Sequence, residues 1–411
     1  MAVKAVAGAA TSTMDKLREM IVKAIPDDKP IVDIDPDSLM EPLPHIKSGS
    51  VVLDYLIGGK LNRNGVQPCP GLPKGKIINV YGANSCGKTT MALTAAAKVC
   101  QAGGTVVYID WENEIVPDYA AALGVPIGDK QRFMLCQPDT LEDGFKIMFG
   151  AAGLGVDLIV VDSVGAGVPK ATRMKTLEEM TDTPRIGMVA QSWSQFLPNL
   201  KGQVARHGTV VIGIAQVRKN IAVKGYGDDT TVQGGEAWKF FSAVRIKLAR
   251  IGYEKLKIVN PVTNKTEDSV GGAVIKAKLD KNKVASSQGC EQTFYIRWGT
   301  GIDDIRSIID IAVSHNIVKK GGAWYTWIKP NGESQRFQGM TQVWDYFAAD
   351  PKLFEMLYQQ TLPKLGQAAS YVKTDNLAED SSDEDSDLMA DMLSIGQDPV
   401  DTSTESTFDV D

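Results

Sequence analysis

The chain has 411 residues, 43% hydrophobic and 23% charged, with five cysteines at no CxxC spacing. That length buries at least one large core plus accessories, and the cysteines point neither to a zinc site nor to a disulfide framework, as in a reducing, intracellular setting. No stretch approaches the ~18 consecutive apolar residues of a membrane span, and residues 1–10 lack the apolar centre of a secretory signal, so the chain reads as soluble and cytoplasmic, with no membrane partner. The net charge of −6 hides an asymmetry. Thirteen of the 50 acidic residues fall in 374–411, which has no Lys or Arg; the first 373 residues keep 37 acidic against all 44 basic residues, a surplus of seven positive charges. A basic body attracts a polyanion, and an acidic tail either competes with that polyanion or serves solubility alone.

Residues 1–11 read as disordered. Ser12 and Asp15 then give the signature of a capping box, ahead of a helix with Leu17, Met20, Ile21, Ala24 and Ile25 on one face and Pro26 as its stop. A short amphipathic helix set off by the Pro- and Asp-rich run Pro26 to Pro36 must bury that face, on its own core or on a neighbouring subunit. Residues 1–45 are therefore read as an N-terminal helix and linker. From 46 to 301 strands alternate with helices, the pattern of an α/β core around a mainly parallel, doubly wound sheet.

The core is organised around Gly82-Ala83-Asn84-Ser85-Cys86-Gly87-Lys88-Thr89, a GxxxxGKT string between the β-prone run Lys76 to Tyr81 and the helix formers Thr90 to Lys98. Glycines let the backbone turn its N–H groups around phosphate oxygens, and the start of the following helix, at Thr90, adds donors and partial positive charge. Lys88 would reach the β- and γ-phosphates of ATP, and the Thr89 hydroxyl would help hold Mg²⁺. Cys86 reads as a small filler of the loop.

Thr105 to Asp110, Val156 to Asp162 and Thr209 to Gln216 read as further strands, the last two near-continuously apolar as in strands covered on both faces. Ligands of such sheets lie beyond the strands' carboxyl ends, which selects Glu112, Asp162 and Gln216. Asp162 either holds Mg²⁺ through water or caps the next segment. Glu112 and Glu114 compete for the role of orienting the water that attacks the γ-phosphate. Gln216 offers an amide to the γ-phosphate. Two aperiodic loops leave the same edge of the sheet: 170–187, with Lys170, Arg173, Lys175 and Arg185, and 217–235, with Arg218, Lys219, Lys224, Tyr226, Gly234 and Gly235. They are ordinary solvated loops, or they meet nucleic-acid phosphates and bases. Lys281 and Lys283 follow a strand from Ala273 to Leu279, as a solvated pair or as cations set against the nucleotide of an adjacent subunit.

Residues 302–366 form a smaller lobe with an amphipathic helix through Ile305, Ile308, Ile309, Ala312 and Val313, a hairpin-like Ala323 to Trp327, and a helix from Val343 to Tyr358. Residues 367–411 are an acidic, disordered tail around one apolar island, Leu388 to Leu393.

These strings resemble the bacterial RecA recombinase family in order and approximate spacing. The likeness rests on the phosphate loop, Asp110-Trp111-Glu112 with Pro117 and Tyr119, Gln137 to Thr140, Val160 to Val164, Gln216 to Arg218, Gly234-Gly235, Lys281-Asn282-Lys283 and Gly322 to Tyr325. It implies a RecA-type P-loop NTPase core with a mainly parallel β-sheet, an N-terminal helix, a small C-terminal α/β lobe and an acidic tail. It also implies an ATP-dependent strand-exchange protein that forms helical filaments on single-stranded DNA and pairs it with double-stranded DNA. Single-strand-binding and loader proteins are implied as further partners. By the same resemblance Glu112 is the catalytic glutamate, Gln216 senses the γ-phosphate, Tyr119 stacks on adenine, Lys281 and Lys283 reach the neighbour's ATP, and the two loops bind DNA. A ring-forming helicase or regulatory ATPase on the same core, and a non-catalytic DNA-binding protein stabilised by ATP, are the alternatives. Val116 stands where the family has an aspartate contacting adenine, and Leu61 to Pro70 looks inserted.

A chain ending at Lys373 is expected to bind duplex DNA more tightly at moderate salt than the full chain, by fluorescence anisotropy. Unchanged binding would leave the tail as a solubility element.

Overall fold

The computed structural model describes residues 12–24, 40–173, 187–219, 230–259 and 266–368. The first helix, α1 (Thr13–Ala24), opens on a reciprocal cap: the Ser12 N–H donates to Asp15 Oδ2 at 3.0 Å and the Asp15 N–H to Ser12 Oγ at 3.1 Å. None of its residues is buried. The short strand β1 (His45–Ile46) pairs with β2 (Leu72–Pro73), and between them lies α2 (Val51–Gly58), capped by Ser50. The stretch that looks inserted folds back on α2: the buried Gln67 amide donates to the carbonyls of Tyr55 and Gly59, at 3.1 and 3.0 Å.

The core then runs β3 (Ile77–Gly82), α3 (Lys88–Gln101), β4 (Val106–Asp110), α4 (Pro117–Ala122), β5 (Phe133–Cys136), α5 (Leu141–Gly153), β6 (Leu158–Asp162), α6 (Lys170–Arg173) and α7 (Met188–His207). It continues through β7 (Val210–Lys219), β8 (Thr230–Val232), α8 (Glu236–Phe241), β9 (Val244–Val259), β10 (Thr266–Asn282), β11 (Glu291–Arg297) and β12 (Gly301–Asp303). The sheet order is β12-β11-β10-β9-β3-β7-β6-β4-β5, with β8 paired to β7. The six strands from β9 to β5 are parallel and β10 to β12 antiparallel. Apolar residues of α2 and α3 cover one face of the sheet and those of α5, α7 and α8 the other, as the doubly wound reading expects. On the second face Trp193 meets Trp111, Phe145 and Trp238 edge-on, with ring centroids 6.1, 4.8 and 4.9 Å away.

A smaller lobe follows: α9 (Asp304–Ser314), a three-stranded sheet of β13 (Val318–Gly321), β14 (Trp324–Ile328) and β15 (Ser334–Gln338), then α10 (Gly339–Ala349) and α11 (Pro351–Ala368). It has its own core around Trp327, Phe337 and Phe347.

The hairpin-like Ala323 to Trp327 supplies Trp324 to Trp327 of the central strand β14, which pairs antiparallel with both β13 and β15. Three expectations need correcting. The helix expected from Val343 to Tyr358 breaks at Asp350, which is extended because Pro351 disfavours helical backbone before it. The strand expected from Ala273 to Leu279 starts at Thr266 and pairs along its length with β9, an element the sequence reading left unmarked. The loop expected from Val217 is strand through Lys219, and Thr230–Val232 returns beside it.

The Asp304 carboxylate accepts from the Val51 N–H at 3.0 Å, joining the second lobe to α2. Burial holds Asp304 up at about 7 and the nearby Asp54 up at about 6, and proximity of the two acids adds to the rise at Asp304. The folded state keeps these protons more tightly than the unfolded chain, so their contribution to stability falls as pH rises from about 4 towards 7. Asp304→Asn is expected to flatten that slope and to raise stability near neutral pH, by urea denaturation at pH 5 and pH 8. A variant with an unaltered slope would contradict this.

Candidate nucleotide site

The parallel register brings the predicted residues to one edge. Gly82 lies opposite Gln216, and Asp110 opposite Asp162. The loop that leaves β3 needs its glycines: a Cβ at Gly82 would fall 2.1 Å from the Leu248 carbonyl oxygen, and one at Gly87, where φ is 82°, 2.2 Å from Ile296 Cδ1. Ser85 has the left-handed φ of 56°. Ala83, Asn84 and Ser85 are exposed while Gly82 and Cys86 are buried, so the loop opens outward between buried anchors. Burial pushes the Cys86 thiol up, consistent with a filler and not a nucleophile.

Lys88 opens α3 and is buried, its ammonium donating to the carbonyls of Ala83 at 2.7 Å and Gly82 at 3.2 Å. Thr89 Oγ1 donates to Asp162 Oδ2 at 2.8 Å, and Tyr108 OH donates to the same oxygen at 2.8 Å. The Asp162 carboxyl is raised to about 6, chiefly by burial, with the two donors pulling against the rise and the Glu112 and Asp110 charges adding to it. An anionic cluster around one hydroxyl suits a divalent cation. No group of three or more His, Cys, Asp or Glu side chains forms a metal cage among the described residues. A hydroxyl and one carboxylate, completed by water and phosphate oxygens, are the donor set Mg²⁺ takes.

Glu112 and Glu114 part company. Glu112 accepts from Ser163 Oγ and from Gln216 Nε2, the latter at 3.1 Å, whereas Glu114 is exposed. Asp110 is engaged elsewhere, accepting from Gln137 Nε2 and the Ile115 N–H, both at 3.3 Å. Tyr119 shares a 2.8 Å hydroxyl contact with Thr90, and Val116 caps α4 with its side chain exposed.

The loop residues divide. Lys170 and Arg173 bound the single turn α6, and Lys170 is exposed. Arg218 and Lys219 lie on β7 opposite Thr231 and Thr230. Gly234 and Gly235, with φ of 87° and 81°, fit where a Cβ would strike Val164 and Ala190. Lys175, Arg185, Lys224 and Tyr226 lie outside the described residues. Lys281 and Lys283 are not beside the loop of their own chain: Lys281 lies opposite Arg245 on β9, and the Lys283 N–H donates to the Ala243 carbonyl at 3.0 Å, at the edge where β3 begins. Lys281 Nζ donates to the carbonyls of Lys239 and Phe240 at the end of α8, and burial with nearby Lys283 lowers its pKa. The sequence reading missed Tyr108, Ser163 and Arg250; Arg250 Nη1 donates to the Ser85 carbonyl at 3.3 Å. Alternation along β4 marks Tyr108 only as inward-facing, and nothing local marks the other two.

No helix among the described residues is long and apolar enough to cross a membrane. Two family models match, that of the RecA N-terminal domain over residues 36–303 and that of the RecA C-terminal domain over 306–366. Among curated relatives, Protein RecA of Paenarthrobacter aurescens is 38% identical over 340 residues, 82% of this chain and 88% of the relative. Protein RecA of Nostoc is 35% identical over 344 residues, covering 84% and 87%. That of Acinetobacter baylyi is 35% identical over 359 residues, covering 86% and 91%.

Gly82→Ala is expected to destabilise the fold by roughly 1–3 kcal/mol and to abolish binding of a fluorescent ATP analogue, since the Leu248 carbonyl it would strike belongs to the adjoining strand. Retained binding would mean the loop can relax around a Cβ.

Proposed function

This chain belongs to the RecA family, and we propose that it is an ATP-dependent recombinase, which assembles as a helical filament on single-stranded DNA, pairs it with a homologous duplex and hydrolyses ATP in response to DNA. The observation that carries the reading is Gln216. Its amide donates to Glu112 at the nucleotide edge, while its carbonyl accepts from the Gln233 N–H at 3.0 Å. One residue thus belongs both to the hydrolytic cluster and to the β7–β8 pair that frames residues 220–229. A side chain sensing phosphate there would bias that pair without a longer relay.

Lys88 and the loop N–H groups would bind the phosphates, and Thr89 with Asp162 would hold Mg²⁺, which when bound neutralises charge on the phosphate oxygens. Glu112, held by Ser163 and Gln216, would orient the attacking water. Tyr119, fixed through Thr90, would lie against adenine. The position of Lys281 and Lys283 at the opposite edge of the sheet supports service to a neighbouring protomer's nucleotide, so ATP would join successive subunits and hydrolysis would loosen them. Lys170, Arg173, Lys175, Arg185, Arg218, Lys219, Lys224 and Tyr226 would meet DNA mainly through phosphates, a binding tolerant of sequence and sensitive to salt.

Negative-stain imaging with single-stranded DNA and a non-hydrolysable ATP analogue is expected to show open filaments, lost in Lys88→Ala; closed rings or single chains would overturn the reading. Glu112→Gln is expected to lower DNA-stimulated turnover by roughly 10²–10⁴ while filaments persist, and Glu114→Gln to leave turnover little changed. Equal losses in the two variants would remove Glu112 from its assigned role.

A further inference from the structure

We propose that the β9–β10 ribbon is an arm that lies against the next copy of this chain in the filament, an inference that rests on the ATP-bridged assembly proposed above. β3 stops at Gly82, opposite Leu248, and the pairing of β10 with β11 ends at Gly272. β9 nevertheless runs on to Val259 and β10 begins at Thr266, so five residue pairs, from Lys255 opposite Val270 to Val259 opposite Thr266, have only each other as strand partners among the described residues. At about 3.3 Å per residue they reach ~17 Å beyond the last three-stranded row. A two-stranded ribbon alone is marginal in water. One that outruns its sheet is stabilised by a surface to lie on.

The direction of the ribbon identifies that surface. β9 is parallel to β3, so it continues past the phosphate loop on the side where the loop opens. The next copy stands on that side, because it presents Lys281 and Lys283 from the opposite edge of its own sheet. The base of the ribbon is also uncovered. Ile251 is 47% exposed, Tyr253 51%, Val270 38% and Trp298 54%. Tyr253 and Trp298 meet edge-on at 6.4 Å, with the Arg250 guanidinium 4.5 Å above the Tyr253 ring. Contiguous aromatic residues beside an arginine are the composition of an interface centre. The same Arg250 donates to the Ser85 carbonyl, so a neighbour that covers this patch touches a residue bonded to the phosphate loop.

The test mixes ¹⁴N- and ¹⁵N-labelled full-length protein on an oligo(dT) strand with a non-hydrolysable ATP analogue, followed by a lysine-reactive cross-linker and mass spectrometry. Mixed-isotope cross-links from Lys255 or Lys257 are expected. If those two link only within one copy while Lys283 links between copies, the arm is refuted and the ATP bridge stands; if Lys283 also fails to link between copies, both fall. A second variant replaces residues 256–269 with Asn-Gly, closing the strands at the Lys255–Val270 pair. It is expected to need a several-fold higher protein concentration to assemble, with unchanged binding of ATP analogue by single chains. Assembly at the wild-type concentration would overturn the arm.

Discussion

Everything at the nucleotide edge depends on the parallel alignment of four strands. β3, β7, β6 and β4 run the same way, so Gly82, Gln216, Asp162 and Asp110 emerge within about two residues of one row. The constraint is steric as well as topological. The Leu248 carbonyl on β9 excludes a Cβ at Gly82, and the Ile296 side chain excludes one at Gly87. With the loop clamped between those walls, its outward face is left to the exposed run Ala83 to Ser85, and its buried Lys88 bonds to carbonyls of the same loop.

Within this frame three carboxylates share little space yet have separate partners. Asp110 is taken by Gln137 and a backbone N–H, Asp162 by two hydroxyls, and Glu112 by Ser163 and Gln216. Different partners give them different surroundings: one acid bonded to an amide and a backbone N–H, one bonded to hydroxyls and suited to a cation, and one within hydrogen-bond reach of the Gln216 amide. The chemistry follows from this division more than from any single residue.

Much of this was legible in the sequence because it is local. The GxxxxGKT string, the acid ending an apolar strand and the glutamine ending another are each written within a few consecutive residues. The capping box of α1 is likewise local, and the structure has both of its hydrogen bonds. What was not legible depends on register between strands distant in sequence. Tyr108 reaches Asp162, and Ser163 reaches Glu112, only because β4 and β6 align Asp110 with Asp162. The choice between Glu112 and Glu114 came from resemblance, and spacing left it open. β9 escaped notice because lysines, glutamate and Gly252 interrupt its apolar pattern, and β10 was cut short because Gly271 and Gly272 look like a strand's end.

The indole cluster on the second face of the sheet has an optical consequence. Trp111 adjoins Glu112 in the chain and meets Trp193 edge-on; Trp193 in turn meets Trp238, whose ring fills the space above Gly213. Three tryptophans this close exchange excitation, so these three of the chain's seven emit collectively from the face of the sheet behind Glu112. Small shifts of the segment carrying Glu112 would alter the colour and intensity of that shared emission, giving the unlabelled protein a built-in reporter of the state of its candidate nucleotide edge.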